Sequence, residues 1–172
     1  MHFDANFWDY LSPFQKDLIR EGSYLYQEIF NDNKYSFKDY SFVVFPFAKA
    51  YEGFVKQFLN DSGFITRDQY MSDHTRVGLL LCPELKADDN RSVYRQISSK
   101  YGNITASSMW ETWKFCRNQV FHYYPHNNKS IDLNGARERI HMLLITIQHC
   151  HTELNKRTRE KDYGIDYHKA SI

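Results

Sequence analysis

An all-α fold, a single up-and-down bundle of about five helices, is predicted for this 172-residue chain by three observations. Hydrophobic residues recur at helical spacing wherever the pattern is clear. The longest run (Leu133, Ala136, Ile140, Leu143, Ile147, Cys150 and Leu154) alternates steps of three and four, the stripe of a helix in an antiparallel bundle. Seven Gly and four Pro stand against thirteen Tyr and thirteen Phe, which favours packed, regular structure. The length suffices for one core and one domain. No repeat, linker or low-complexity stretch divides residues 1–172.

The elements follow in order. Ser12-Pro13-Phe14-Gln15 reads as an N-cap, a first-turn proline and a capping-box glutamine. Phe14, Leu18, Leu25 and Ile29 then line a helix that fades near residues 31–33. Residues 41–45 would suit a strand by composition alone. A helix from about Asp39 that bends at Pro46 is preferred, because Phe47, Tyr51, Phe54 and Phe58 continue at helical spacing until Asn60-Asp61-Ser62-Gly63 ends it. Residues 64–90 are the least legible: Val77 to Leu81 suits a helix end or a buried extended piece, and Pro83 with residues 86–90 marks a loop. A short helix with Val93 and Ile97 inward stops near Gly102. Ser108-x-x-Glu111 is a candidate capping box for the next helix, whose apolar face is Met109, Trp113, Cys116 and Val120. The last helix carries the long stripe, and a polar tail from residues 155–156 to 172 is expected to fray.

Composition narrows the function. The net charge of +1 provides no global attraction to nucleic acid, so any such binding must come from a local patch. Cys82, Cys116 and Cys150 are odd in number and far apart, which argues for reduced thiols rather than a disulfide framework. The N-terminus lacks the basic and apolar regions of a signal peptide, and the apolar run 42–47 is too short to span a bilayer. A soluble cytoplasmic protein with no membrane partner is expected. The eight histidines include His149-x-His151 on different helix faces and His141 with His149 near one face, but no third ligand, so neither a metal nor another cofactor is expected.

The chemistry is concentrated in Arg117-Asn118-Gln119-Val120-Phe121-His122-Tyr123-Tyr124-Pro125. Arginine brings permanently charged donors shaped for a phosphate, and histidine exchanges a proton near neutrality. On a straight helix the two would lie roughly 140° apart. Pro125 disfavours helical geometry at Tyr124, so the helix should end or distort within or just after the motif, with a cleft there. Either that distortion brings His122 round to Arg117, or the groups meet counterparts across a two-fold axis.

Arg117-Asn118-x-x-x-His122 resembles the R-N-x-x-x-H motif of the HEPN superfamily (higher eukaryotes and prokaryotes nucleotide-binding). In the toxins paired with minimal nucleotidyltransferases the motif extends to R-x4-H-x-Y, which Arg117, His122 and Tyr124 match. In RNase LS-type toxins an acidic residue on an earlier helix joins the pair, and Glu52, between Lys49 and Lys56, is the candidate. The plain alternative for Glu52 is a solvated residue paired with either lysine. The resemblance implies a HEPN-like bundle and a metal-independent endoribonuclease acting as a toxin or antiviral effector. It further implies a homodimer with a composite site, a partner antitoxin or nucleotidyltransferase, and Tyr124 as a possible modification target. His122 would take the ribose 2′-OH proton, Arg117 would hold the phosphate, Asn118 would orient either, and Glu52 would orient Arg117 or assist proton transfer. The products would be a 2′,3′-cyclic phosphate and a 5′-OH. The competing reading is a non-catalytic helical module that binds RNA or protein. A third is a component of a larger RNA-targeting complex.

Overall fold

The computed structural model describes residues 5–31, 35–84, 92–123, 125–126 and 129–162, with side chains described to residue 157. All the regular structure among them is helical. In order they form α1 (Ala5–Tyr10), α2 (Pro13–Asn31), α3 (Ser41–Asp61), α4 (Arg67–Met71), α5 (Val77–Leu80), α6 (Val93–Tyr101), α7 (Asn103–Trp113), a π-helical turn (Lys114–Asn118) and α8 (Leu133–Asp162). The expected five helices are thus eight among the described residues, three of which are under nine residues long.

α3 is the axis of the molecule. Val43, Val44, Phe47, Tyr51, Phe54, Val55, Phe58 and Leu59 are buried on several sides of it, the pattern of a helix enclosed by neighbours. It is helical from Ser41 and continues through Pro46, so residues 41–45 are not a strand. The Asp39 carboxylate accepts from the N–H groups of Ser41 (2.9 Å) and Ile131 (3.3 Å), which ties the start of α3 to the approach to α8.

Close approaches fix the helix directions. α2 meets α3 with Gln15 against Gly53 and Gly22 against Pro46 and Phe47, so the two run antiparallel. Tyr51 of α3 donates to the Met109 carbonyl of α7 (2.7 Å), and Ser62, just past the end of α3, meets Tyr101 at the end of α6 (2.9 Å). Thr105 with His149 (3.2 Å) and Thr112 with Thr146 (2.8 Å) set α7 antiparallel to α8. The result is up-and-down, as expected.

Local signals decide the helix ends. The Ser12–Gln15 capping box forms in both directions, at 3.3 and 2.9 Å. Phe14, however, is 61% exposed, because the buried face of α2 is Gln15, Leu18, Ile19 and Gly22, while Leu25 and Ile29 are half-buried. α1, not expected from the sequence, buries Phe7 and packs the Phe7 and Tyr10 rings, edge-on and tilted, against His151. In the stretch 64–90, Thr66 and Gln69 form a capping box for α4, and Val77–Leu80 is a helical turn that buries Val77; residues 85–90 lie outside the described residues. α6 stops at Gly102, whose φ of +91° suits glycine. α7 starts at once behind it, so Ser108 and Glu111 lie mid-helix and form no N-terminal box. Helix α8 continues to Asp162, past the expected fraying point; Glu153 and Lys156 (2.7 Å) pair on its last described turns. The stripe read for α8 is buried apart from half-buried Leu133.

Candidate active site at a π-helical turn

Arg117 and Asn118 belong to the π-helical turn, closed by the Gln119 N–H on the Lys114 carbonyl at 3.0 Å. Such turns insert one extra residue into a helix and recur at functional sites. The distortion begins at Lys114, ahead of Arg117 and well before the position that Pro125 restricts. The helix ends inside the motif as expected, but its distortion starts ahead of the motif and Pro125 is not the local cause. Cys116 remains buried on the core side of the turn, and burial pushes its thiol up to about 12. Arg117 points the other way.

There the Arg117 Nε donates to Glu52 Oε2 across 3.3 Å, with the two side chains 36% and 30% exposed. Glu52 is therefore paired with the motif arginine rather than with Lys49 or Lys56. The guanidinium also sits over the Trp113 ring, 5.1 Å from its centroid. Trp113 in turn packs on Gly78 of α5, where no Cβ would fit. The Nη groups of Arg117 are the donors that this arrangement leaves for an anion. Beside them a cavity of about 200 Å³ is walled by Phe45, Ala48, Lys49, Glu52, Arg117 and Phe121. A cleft is expected at the end of this helix for Arg117 and His122 together; this one is walled by Arg117 but not by His122.

His122 lies beyond the helix, exposed, with Nε2 at 2.8 Å from Asn118 Oδ1. An amide oxygen only accepts, so in this assignment Nε2 carries the proton and Nδ1 is the basic nitrogen. The site thus consists of two tethered pairs, Glu52 with Arg117 and Asn118 with His122, joined by the peptide bond between Arg117 and Asn118. Tyr124 lies outside the described residues. Trp113 was legible only as a core residue, although its position four before Arg117 is the spacing at which helical side chains meet. Phe45 carried no functional signal at all.

Among the described residues no three His, Cys, Asp or Glu side chains gather as metal ligands, and no helix is long and apolar enough to cross a membrane. Cys82, Cys116 and Cys150 are free thiols. No protein-family model, no curated protein and no solved structure matches this chain.

Proposed function

We propose that this protein is a metal-independent endoribonuclease of HEPN type, a toxin or antiviral effector that works as a homodimer on RNA and is held in check by a partner protein. The observation that carries the reading is the exposed His122 imidazole, fixed by the residue next to an arginine that is itself aimed by Glu52. His122 Nδ1 takes the proton of a ribose 2′-OH, which attacks the adjacent phosphate. Arg117 binds that phosphate and stabilises the charge that grows on it. The leaving 5′-oxygen takes a proton from the His122 of a second copy, which is the chemical reason for a dimer. The products are a 2′,3′-cyclic phosphate and a 5′-OH, and DNA is not cut because it lacks the attacking hydroxyl.

The test is incubation of purified protein with total RNA and a chelator. Cleavage should survive the chelator and fall by about 10²–10⁴ in His122→Ala, the usual contribution of a positioned acid–base group. Thermal melting should be unchanged, because the ring is exposed. Full activity in that variant, or loss of activity on chelation, rules the proposal out. Tight RNA binding without cleavage would identify a non-catalytic helical module instead.

A further inference from the structure

α3 keeps one side open along its length. Phe42, Phe45, Lys49, Glu52 and Lys56 recur at steps of three and four, and none of them is buried. The 200 Å³ cavity at Arg117 lies on one side of the Lys49–Glu52 step. On the other side lies a second cavity of about 490 Å³, which shares Lys49 and Glu52 as walls and extends to Phe14, Lys56, Tyr70 and Asp73. Together they form a trough that begins at Phe45 and Phe121 and passes Arg117.

Along the trough the cations Lys49, Lys56 and Arg117 stand against the carboxylates of Glu52 and Asp73. Glu52 is engaged by Arg117. Among the described residues neither Lys49 nor Lys56 is in an ion pair. Lys56 reaches only the Ser72 carbonyl, at 3.5 Å. Three cations rest over rings at this face: Lys49 over Phe14 (5.3 Å), Arg67 over Tyr70 (5.1 Å) and Arg117 over Trp113 (5.1 Å). Phe14 and Phe45 are 61% and 50% exposed, so both rings reach solvent. Cations alternating with open aromatic rings are the elements of a single-strand binding groove. Paired bases are already stacked in their helix, which makes a duplex the poorer ligand.

We propose that this trough binds single-stranded RNA, with Lys49 and Lys56 on two phosphates about three nucleotides apart, Phe45 stacking a base beside the Arg117 phosphate and Phe14 stacking one further along. The inference rests on the ribonuclease reading for the class of ligand but not for the chemistry, since binding needs no cleavage. From Phe45 to Lys56 the helix rises about 16 Å, which accommodates at most about five nucleotides at 3.4 Å each.

The test uses 2′-O-methyl RNA oligonucleotides of two, five and ten nucleotides, which cannot be cleaved by 2′-OH attack. Affinity should rise from two to five nucleotides and then level off. Lys49→Ala/Lys56→Ala should weaken the five-nucleotide ligand about tenfold at 150 mM salt and reduce the salt slope by about 1.4, the release expected for two single-strand phosphate contacts. Phe14→Ala should weaken the five-nucleotide ligand about fivefold and leave the dinucleotide unaffected. Lys49→Arg/Lys56→Arg should restore binding. The charge-matched control Arg20→Ala/Lys156→Ala should stay within twofold of the parent. An unchanged affinity in the lysine double variant, or equal losses in the control, overturns the trough. So does preference for an RNA duplex of the same length. Failure of His122→Ala to slow cleavage would remove the catalytic reading and leave these binding results standing, so the two failures are distinguishable.

Discussion

Asn118 adjoins Arg117 in the chain and holds the His122 ring, so it sets how far the imidazole stands from the guanidinium. Replacing it with alanine removes one hydrogen bond at an accessible place. Stability should change by under about 1 kcal/mol, because the bond competes with water. In the proposed reaction the cost falls on kcat, with a loss of about tenfold, since a free imidazole samples orientations that no longer face the ribose. Glu52→Gln tests the other tether. A half-exposed ion pair contributes about 0.2–1 kcal/mol, so melting should drop by no more than about 4 °C. Cleavage should fall further than that, with KM rising as the guanidinium loses its aim. Cleavage at the parental rate in both variants, measured on one fluorogenic oligonucleotide, would show that neither tether matters.

At the scale of elements, α5 is four residues long yet supports the site, because Gly78 lets the Trp113 indole lie flush against it and Trp113 carries Arg117. A methyl group at Gly78 has no room there. Overpacking of this kind costs about 1–3 kcal/mol, outweighing the roughly 1 kcal/mol that alanine gains over glycine in a helix. Gly78→Ala should therefore lower the melting temperature and shift the Trp113 fluorescence, and in the proposed enzyme it should raise KM. A melting point equal to or above that of the parent would show that the turn yields freely. The sequence revealed none of this, since four residues are too few to show a period and the contact spans 35 positions. What was legible was local or periodic: the Ser12–Gln15 box, the stop at Gly102, the stripe on α8, and Arg117, Asn118 and His122 themselves. Glu52 could be nominated by type, but its bond to Arg117 spans 65 residues and only packing reveals it. The Ser108–Glu111 pattern misled because a capping box is defined by where a helix begins, and Gly102 sets that start. The π-helical turn leaves no mark in composition, since one shifted backbone hydrogen bond is all that defines it.

For the whole molecule, the way titratable groups are buried predicts how stability responds to base. Burial raises the Tyr51 hydroxyl well above its ordinary 10.0, and burial with the Asp61 hydrogen bond raises Tyr10. Burial likewise raises the Cys150 thiol, and it pushes Cys116 from 9.0 to about 12. Each is an acid that the fold holds protonated while the unfolded chain releases its proton. The native state therefore binds more protons above about pH 9, and stability falls as pH rises. The slope is about 1.4 kcal/mol per pH unit for each group in its window. The thiols act from about pH 9 and the phenols from about pH 10. Lys100 works the other way: burial and then Arg157 lower it below 10.5, so losing its charge relieves a strain on the fold as pH approaches that value. It is one half-buried group against four and slows the decline without reversing it. Urea midpoints should fall steadily between about pH 9 and pH 11. Cys116→Ala/Cys150→Ala should flatten the first part of that fall while lowering the midpoint at pH 7, because both side chains are in the core. Midpoints that stay level to pH 11, or a double variant with the parental slope, would mean that the thiols reach water before the core opens.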